Sequence, residues 1–395
     1  MSTQSDLSTP AKPPFWRDPE KRAMVFQVLA LLFVAFILVT LVNNTMNNLA
    51  ARGIASGFDF LSVSTGFPIA ETMIPYDEKS DYLSVFFVGL LNTIYVATIG
   101  IILATIFGFT VGVARLSNNW VISNLAAIYV DTLRNVPLLL QLFFWYFAVL
   151  RPLPKPKQAI EWADSIFLTN RGLFGPKPVF EDGFGLVVAA IFVAIAGIIV
   201  LVKWAKIQQE KTGKLYPVFS ISLGMLVIIP LFGAAIAGFP MTWDYPVLKG
   251  FNFRGGMVLT PEFGSLVLAL SIYTSSFIAE IVRAGVLAID KGQTEAAYAL
   301  GIKPKWTMKL VIIPQALRVI IPPLTSQYLN LTKNSSLAAA IAYPDLVAVF
   351  AGTALNQTGQ AVEIMAMTLA VYLVLSLLIS TFMNWYNAKM ALVER

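Results

Sequence analysis

The sequence predicts an all-α, polytopic helical membrane protein with about eight transmembrane helices. Three observations predict it. Of 395 residues, 57% are hydrophobic and only 13% are charged, against about a quarter charged in soluble domains. Mean hydropathy is +0.72. Apolar runs of about 20 residues recur, long enough to cross a bilayer as helices. The runs are continuous and lack the alternation of an outer-membrane barrel.

The runs are taken in order. The first, 24–42, exceeds the apolar stretch of a cleaved signal, about 7–15 residues. Leu49-Ala50-Ala51 is a poor cleavage site, so this run reads as a retained membrane helix. The others are 88–114, 125–150, 186–204, 217–238, 264–289, 314–342 and 364–383. Run 314–342 holds Pro322-Pro323 and the polar stretch 330–336, which predicts a kinked or broken helix. Segment 43–87 carries Asp59, Glu71, Asp77, Glu78 and Asp81. It reads either as a solvated loop or as an acidic rim that guides a soluble partner. Segment 151–185 holds Pro152, Pro154, Pro156, Pro176 and Pro178, which predicts irregular chain.

The chain has no Cys and no His. That excludes disulfides, thiolate nucleophiles, His-ligated metals and His proton relays. Its basic balance follows the positive-inside rule, and no nucleic-acid partner is expected. With the N-terminus in the cytosol, the inner pieces collect Lys12, Arg17, Lys21, Arg22, Arg115, Lys203, Lys206, Lys211, Lys214, Arg283, Lys291, Lys303, Lys305, Lys309, Arg318, Lys389 and Arg395. The outer pieces hold fewer: Arg52, Lys79, Arg151, Lys155, Lys157, Arg171, Lys177, Lys249 and Arg254. Both termini, and the loop after 289, are placed inside.

That loop leads into the most telling stretch. Residues 295–314 read EAAYALGIKPKWTMKLVIIP, a polar, Gly- and Pro-broken segment between two apolar runs. Its physics is docking rather than catalysis. Thr294 is the expected N-cap, with Glu295 in the first turn, where the helix dipole favours a carboxylate. Ala296, Ala297 and Ala299 keep the helix thin, so a partner can approach closely. Gly301 suits the left-handed position that ends a helix, and Pro304 is expected to stop it from resuming. The expected product is a short stub that seats in a cleft of another protein and passes on its movement. An ordinary amphipathic connector is the rival. The joint spacing of Glu295-Ala296-Ala297, Gly301 and Pro314 weighs against it.

This spacing resembles the EAA loop of ABC-importer membrane subunits, with Val311 and Ile313 in place of the usual Ile and Leu. Three further blocks resemble the polar amino acid permeases. They are Asp131-Thr132-Leu133-Arg134-Asn135-Val136-Pro137-Leu138-Leu139 with Gln141, the stretch YTSSFIAEIVRAG at 273–285, and Lys333-Asn334-Ser335-Ser336-Leu337. Ser335 stands where Thr is usual, and Ala284 where Gly is usual. The resemblance covers 82–150 and 260–390. With two added spans near 186–239 and the first helix, the chain is similar to the larger membrane subunits of general L-amino acid transporters and their glutamate/glutamine/aspartate/asparagine relatives.

The resemblance implies a type I ABC importer permease core with a cytosolic coupling helix, carried by Glu295, Ala296, Ala297 and Gly301. It implies four parts: 1–81, 82–150, an insertion at 151–258, and 259–395 with the coupling loop. It implies a second homologous permease, a dimer of cytosolic ATPases, a periplasmic amino-acid-binding protein and a place in the bacterial inner membrane. No P-loop is present. Gly213-Lys214 has Gln208 and Leu215 where Gly and Ser or Thr are needed. ATP and Mg are therefore assigned to the partner ATPase; no cofactor, catalytic residue or metal site is expected in this chain.

A charge at mid-bilayer costs about 2.5–3.5 kcal/mol on insertion scales. Asp131 with Arg134, and Glu280 with Arg283, have i, i+3 spacing and read as structural ion pairs. Asn92, Thr93, Gln141, Thr274, Ser275, Ser276, Gln327, Asn330, Lys333, Asn334 and Ser335 are candidates for a substrate pathway, supplying donors and acceptors for a zwitterion. Interhelical hydrogen bonding is the rival role, and a site held wholly by the partner permease stays open. An ATP-independent transporter or channel is the alternative function. It calls for midplane carboxylates and an internal repeat, and the sequence displays neither. A membrane enzyme is poorly supported without His, Cys or a carboxylate cluster.

Overall fold

The computed structural model describes residues 18–51, 56–214 and 216–390. Lys12, Arg17, Arg52 and Arg395 of the charge bias, and Leu215 of the P-loop comparison, lie outside the described residues. The helices are α1 Pro19–Ala51, α2 Tyr82–Ala114, α3 Trp120–Asn135, α4 Leu138–Phe143, α5 Phe184–Thr212, α6 Val218–Ile236, α7 Pro261–Leu287, α8 Lys291–Ala299, α9 Pro304–Thr307, α10 Ile313–Asn334, α11 Leu355–Thr358 and α12 Ala361–Met390. A π-helical turn Phe144–Leu150 extends α4. Another, Met308–Ile312, joins α9 to α10. Among the described residues, seven helices are long and apolar enough to cross a membrane, or eight if the bent pair α3–α4 is one span. The chain is a polytopic helical membrane protein.

Two spans differ from expectation. Run 125–150 is not one helix: α3 and α4 meet at 106°. Val136 is extended (φ −99°, ψ 127°) ahead of Pro137, as the residue before proline is pushed to be. Conversely, α10 is not broken at its proline pair. It runs through Pro322 and Pro323, and changes only at Ser335, into a 3-10 segment Ser335–Ile341. Membrane helices tolerate proline where neighbours satisfy the freed carbonyls.

Segment 151–185 is ordered strand rather than irregular chain. Strands β1 (Ile160–Trp162), β2 (Ile166–Thr169), β3 (Gly172–Gly175) and β8 (Met257–Leu259) form an antiparallel sheet in that order. Two-stranded antiparallel pairs join β4 (Lys177–Phe180) to β5 (Met241–Asp244), across α5 and α6, and β6 (Val247–Lys249) to β7 (Asn252–Arg254) as a hairpin. Pro152, Pro154 and Pro156 precede the strands, and Pro178 lies in a two-stranded pair, where a missing N–H is tolerated.

The chain divides into two compact units. One comprises Met1–Thr93 and Pro344–Leu378, the other Ile94–Tyr343 and Ile379–Arg395. In the first, Phe60, Tyr82, Val85, Leu346, Phe350 and Ile364 form the core. Asp81 caps α2, accepting from the Ser84 N–H at 2.8 Å and hydroxyl at 2.7 Å. The Ser84 hydroxyl bond holds the Asp81 carboxyl below its usual range. Asn92 donates to the carbonyls of Glu71 and Pro344, both at 2.9 Å. Thr93 accepts from the Leu346 N–H at 3.0 Å.

Asp345 is fully buried in this unit. It accepts from the Ala348 N–H at 2.8 Å and lies 3.5 Å from the Tyr372 hydroxyl. Burial pushes its carboxyl from the ordinary 3.8 up to about 7. The folded state therefore keeps a proton that the unfolded chain has released between those values. The stability this proton contributes is complete below about pH 4 and is lost as pH rises through about 7. Thermal unfolding from pH 5 to pH 8 tests this: the unaltered melting temperature falls, and Asp345→Asn flattens the fall.

In the second unit, α7 is the central helix. Phe263, Leu266, Val267, Leu270, Ile278 and Val282 are all buried along it, and it packs against α3, α4 and α10. Gly108 and Gly112 of α2 let that helix lie directly on α7. A Cβ at Gly108 would fall 2.5 Å from the Ile278 Cβ, and one at Gly112 would fall 2.7 Å from the Val282 Cβ. Small residues four apart are the usual means of close approach in lipid. Helices α5 and α6 pair with each other, and Trp204 meets Tyr216 at 4.9 Å.

Candidate functional site

The loop after α7 builds the stub. Its N-cap is Asp290, whose carboxylate accepts from the Gly292 N–H at 2.6 Å. Thr294 and Glu295 therefore lie inside the helix, not at its start; the stronger cap four residues earlier sets the boundary. The far end matches expectation. Gly301 has φ +73°. Its N–H donates to the Tyr298 carbonyl at 2.9 Å, and the Ile302 N–H to the Ala297 carbonyl at 3.0 Å. These are the paired bonds of a Schellman cap. Pro304 does not only end α8. It occupies the first turn of α9, where its missing N–H costs nothing.

Ala297 is buried against the protein, while Glu295, Ala296, Tyr298, Ala299 and Leu300 are exposed. Leu300 is 79% exposed. The stub is tied to the spans. Gln315 on α10 donates to Gln293 on α8 at 3.2 Å, and α9 runs through its π turn into α10. α8 is thus joined to α10 by the 300–303 turn, by α9 and its π turn, and by one side-chain bond.

At the same end of α7 lies a charge cluster. Arg283 grips Glu280, with its Nη2 2.6 Å from Oε1. The other carboxylate oxygen pairs with Arg115, just past α2. Glu280 and Arg283 pair as their spacing predicts. Asp131 and Arg134 do not: among the described residues no ion pair joins them. The Arg134 guanidinium lies 5.2 Å over the Phe277 ring instead, a cation–π arrangement, and Asn135 donates to the Asp131 carbonyl. Arg115 has no local signal, because its partner is 165 residues away.

The pathway candidates of this unit fall into two groups. Buried ones are engaged locally. Gln141 donates to the carbonyls of Leu133 and Val136, both at 2.9 Å, which holds the α3–α4 bend. Ser275 meets the Tyr129 hydroxyl at 2.7 Å. Ser276 donates to the Tyr273 carbonyl, and Ser335 to the Thr332 carbonyl. Thr274 is buried beside them. The second group shares one face of α10. Asn330 and Lys333 are exposed, with Gln327 and Asn334 half-buried alongside, and Ser326, not one of the candidates, is exposed on the same face. Their spacing places them in a stripe along the helix. Exposed residues of α5, α6 and α12 are large and apolar, such as Phe192, Phe232 and Leu369. A stripe with a lysine and an asparagine is costly against lipid, so it belongs against water or a polar partner. Asn92 and Thr93 belong to the first unit and pin its 344–346 turn.

Comparison with known proteins supplies the family. Residues 211–392 match the binding-protein-dependent transport system inner membrane component family. The chain is 53% identical over 378 residues to YhdX of Escherichia coli, named as an amino-acid ABC transporter permease, covering 96% of each chain. It is 50% identical to the general L-amino acid transport system permease protein AapQ of Rhizobium johnstonii, over 96% of this chain and 94% of that one. It is 42% identical over 409 residues to the glutamate/glutamine/aspartate/asparagine transport system permease protein BztB of Rhodobacter capsulatus, covering 96% of each. With membrane spans, a capped stub and these relatives, the chain belongs to the amino-acid permeases of ABC transporters.

Proposed function

We propose that this chain is the pore subunit of an ATP-driven importer of L-amino acids, paired with a second homologous permease. A dimer of cytosolic ATPases, which binds the ATP and Mg, docks on Glu295, Ala296 and the Gly301 turn, while Ala297, expected on the same face, is buried and seats the stub on the rest of the chain instead. A periplasmic binding protein delivers substrate. The membrane is the bacterial inner membrane, with both termini and α8 in the cytosol. The observation that carries this reading is the α8 stub, exposed on its thin alanine face and tied to α10.

AapQ and BztB are named for broad and for acidic or amide amino acids respectively. Both sets share the α-amino and α-carboxylate groups. Lys333 supplies a cation for the carboxylate, while the amide oxygens of Gln327, Asn330 and Asn334 supply acceptors for the ammonium. The test is purification from a mild detergent extract, followed by uptake in vesicles. An ATPase dimer and a second permease should co-purify, and uptake should need ATP. A chain that purifies alone and moves amino acids without ATP would establish the secondary-transporter alternative. Lys333→Ala should lower uptake by about tenfold or more, the value of one charge-assisted contact, with assembly intact. Loss of assembly instead assigns Lys333 to structure.

A further inference from the structure

We propose that a basic cup on the sheet side of the second unit binds the headgroup of an anionic phospholipid. Three tips build it. The first is the Pro154–Lys157 turn after α4, the second is the β2–β3 tip at Asn170 and Arg171, and the third is the β6–β7 tip at Phe251. The Asn170 N–H donates to the Pro154 carbonyl at 2.9 Å, fixing the first two together. The Lys157 ammonium lies 5.1 Å over the Phe251 ring, fixing the third. The cavity is about 740 Å³. Its cations are Lys155, Lys157 and Arg171, and no acidic residue lines it. Among the described residues, none of the three forms an ion pair.

Position identifies the occupant. Segments 151–183 and 237–260 are separated by two spans, α5 and α6, so they share a side; β3 pairs with β8 across that insertion. One further span, α7, leads to α8, which therefore lies on the opposite side. The cup is on the side where the charge bias thins out cations, so three uncompensated ones call for a reason. It also sits at span ends. Lys155 follows closely on the helical turn that ends at Leu150, and Leu173, two residues past Arg171, pairs with Leu259 just before α7. Phe251 is 77% exposed at its rim, an apolar ring of the kind that inserts at the headgroup–acyl boundary. Cations, an aromatic wedge and a span boundary together suit a lipid phosphate with its chains in the bilayer.

The test uses the purified, delipidated transporter complex. Thermal unfolding and native mass spectrometry are read with dioleoylphosphatidylglycerol, with dioleoylphosphatidylcholine, and with inorganic phosphate at millimolar concentration. Phosphatidylglycerol should stabilise and bind; the other two should not. The triple variant Lys155→Gln, Lys157→Gln and Arg171→Gln should weaken phosphatidylglycerol binding by roughly tenfold or more. Phe251→Ala should give a smaller loss, and it serves as the readout if the triple variant fails to accumulate. Three results would overturn the proposal: equal binding of phosphatidylcholine, equal binding of free phosphate, or variants that bind phosphatidylglycerol as the unaltered complex does. In the last case, a raised half-saturating concentration of binding protein would assign the cup to an acidic protein surface.

Discussion

Gly108→Leu leaves little folded permease in the membrane. A Cβ at this position would stand 2.5 Å from both Cβ and Cγ2 of Ile278 and 3.1 Å from the Ser275 carbonyl oxygen. Ile278 is itself fully buried in the core, and its β-branched side chain has few rotamers to move into. The helices must separate. In lipid there is no hydrophobic gain to hold them, only packing and hydrogen bonds. Overpacking a core usually costs about 1–3 kcal/mol, and here the whole leucine side chain must be placed, not one methylene. Gly112→Leu should behave alike, since its Cβ would lie 2.8 Å from the Ala279 carbonyl oxygen. Gly224 on α6 has nothing within 4 Å, so Gly224→Leu is the matched control. Fluorescence-detected gel filtration after heating should show the first two lost or melting well below the unaltered chain, with the third unchanged. Equal melting of all three would mean that α2 does not rest on α7 through these glycines.

Local pattern made the spans and the stub legible; distance hid the rest. Apolar runs report membrane crossing because bilayer thickness acts on each run alone. They do not report direction, so 125–150 reads as one run despite the 106° turn at Val136-Pro137. The proline pair and the polar run 330–336 together read as a kink or break; the α-helix passes the prolines and gives way only within the polar run, at Ser335. Whether a proline breaks a helix depends on neighbours the sequence does not display. The C-terminal cap of α8 was legible because Gly301 answers a backbone requirement within four residues. Its N-terminal cap is not legible in the same way, because Asp290 and Thr294 are both good caps and only the run of helix between them decides. In sequence, polarity alone marks the pathway candidates. Burial separates Gln141, Ser275 and Ser276, bonded to nearby groups, from the exposed Asn330 and Lys333. The Arg115–Glu280 pair and the β3–β8 register join residues far apart in the chain, and no single-sequence pattern marks them.

Gly301→Val should cut ATP-coupled uptake about tenfold while the permease itself still folds. Nothing lies within 4 Å of a Cβ at Gly301, so the substitution causes no clash. Its cost is conformational: an L-residue in the left-handed region gives up about 1–2 kcal/mol, and a β-branched one is worst. The chain relieves that cost by leaving φ +73°, and the two capping bonds to Tyr298 and Ala297 are lost with it. α8 then frays and its exposed face no longer meets the proposed ATPase at a fixed angle. The damage is confined to an exposed loop, so the melting temperature should stay near that of the unaltered chain. The order of uptake should be Gly301→Asn above Gly301→Ala above Gly301→Val, because asparagine tolerates this region and valine does not. Steric size alone would predict the opposite ranking of alanine and asparagine. Reconstituted complexes assayed side by side for uptake and for ATP hydrolysis distinguish the two. If alanine outperforms asparagine, or valine matches glycine, the left-handed cap does not transmit the stroke.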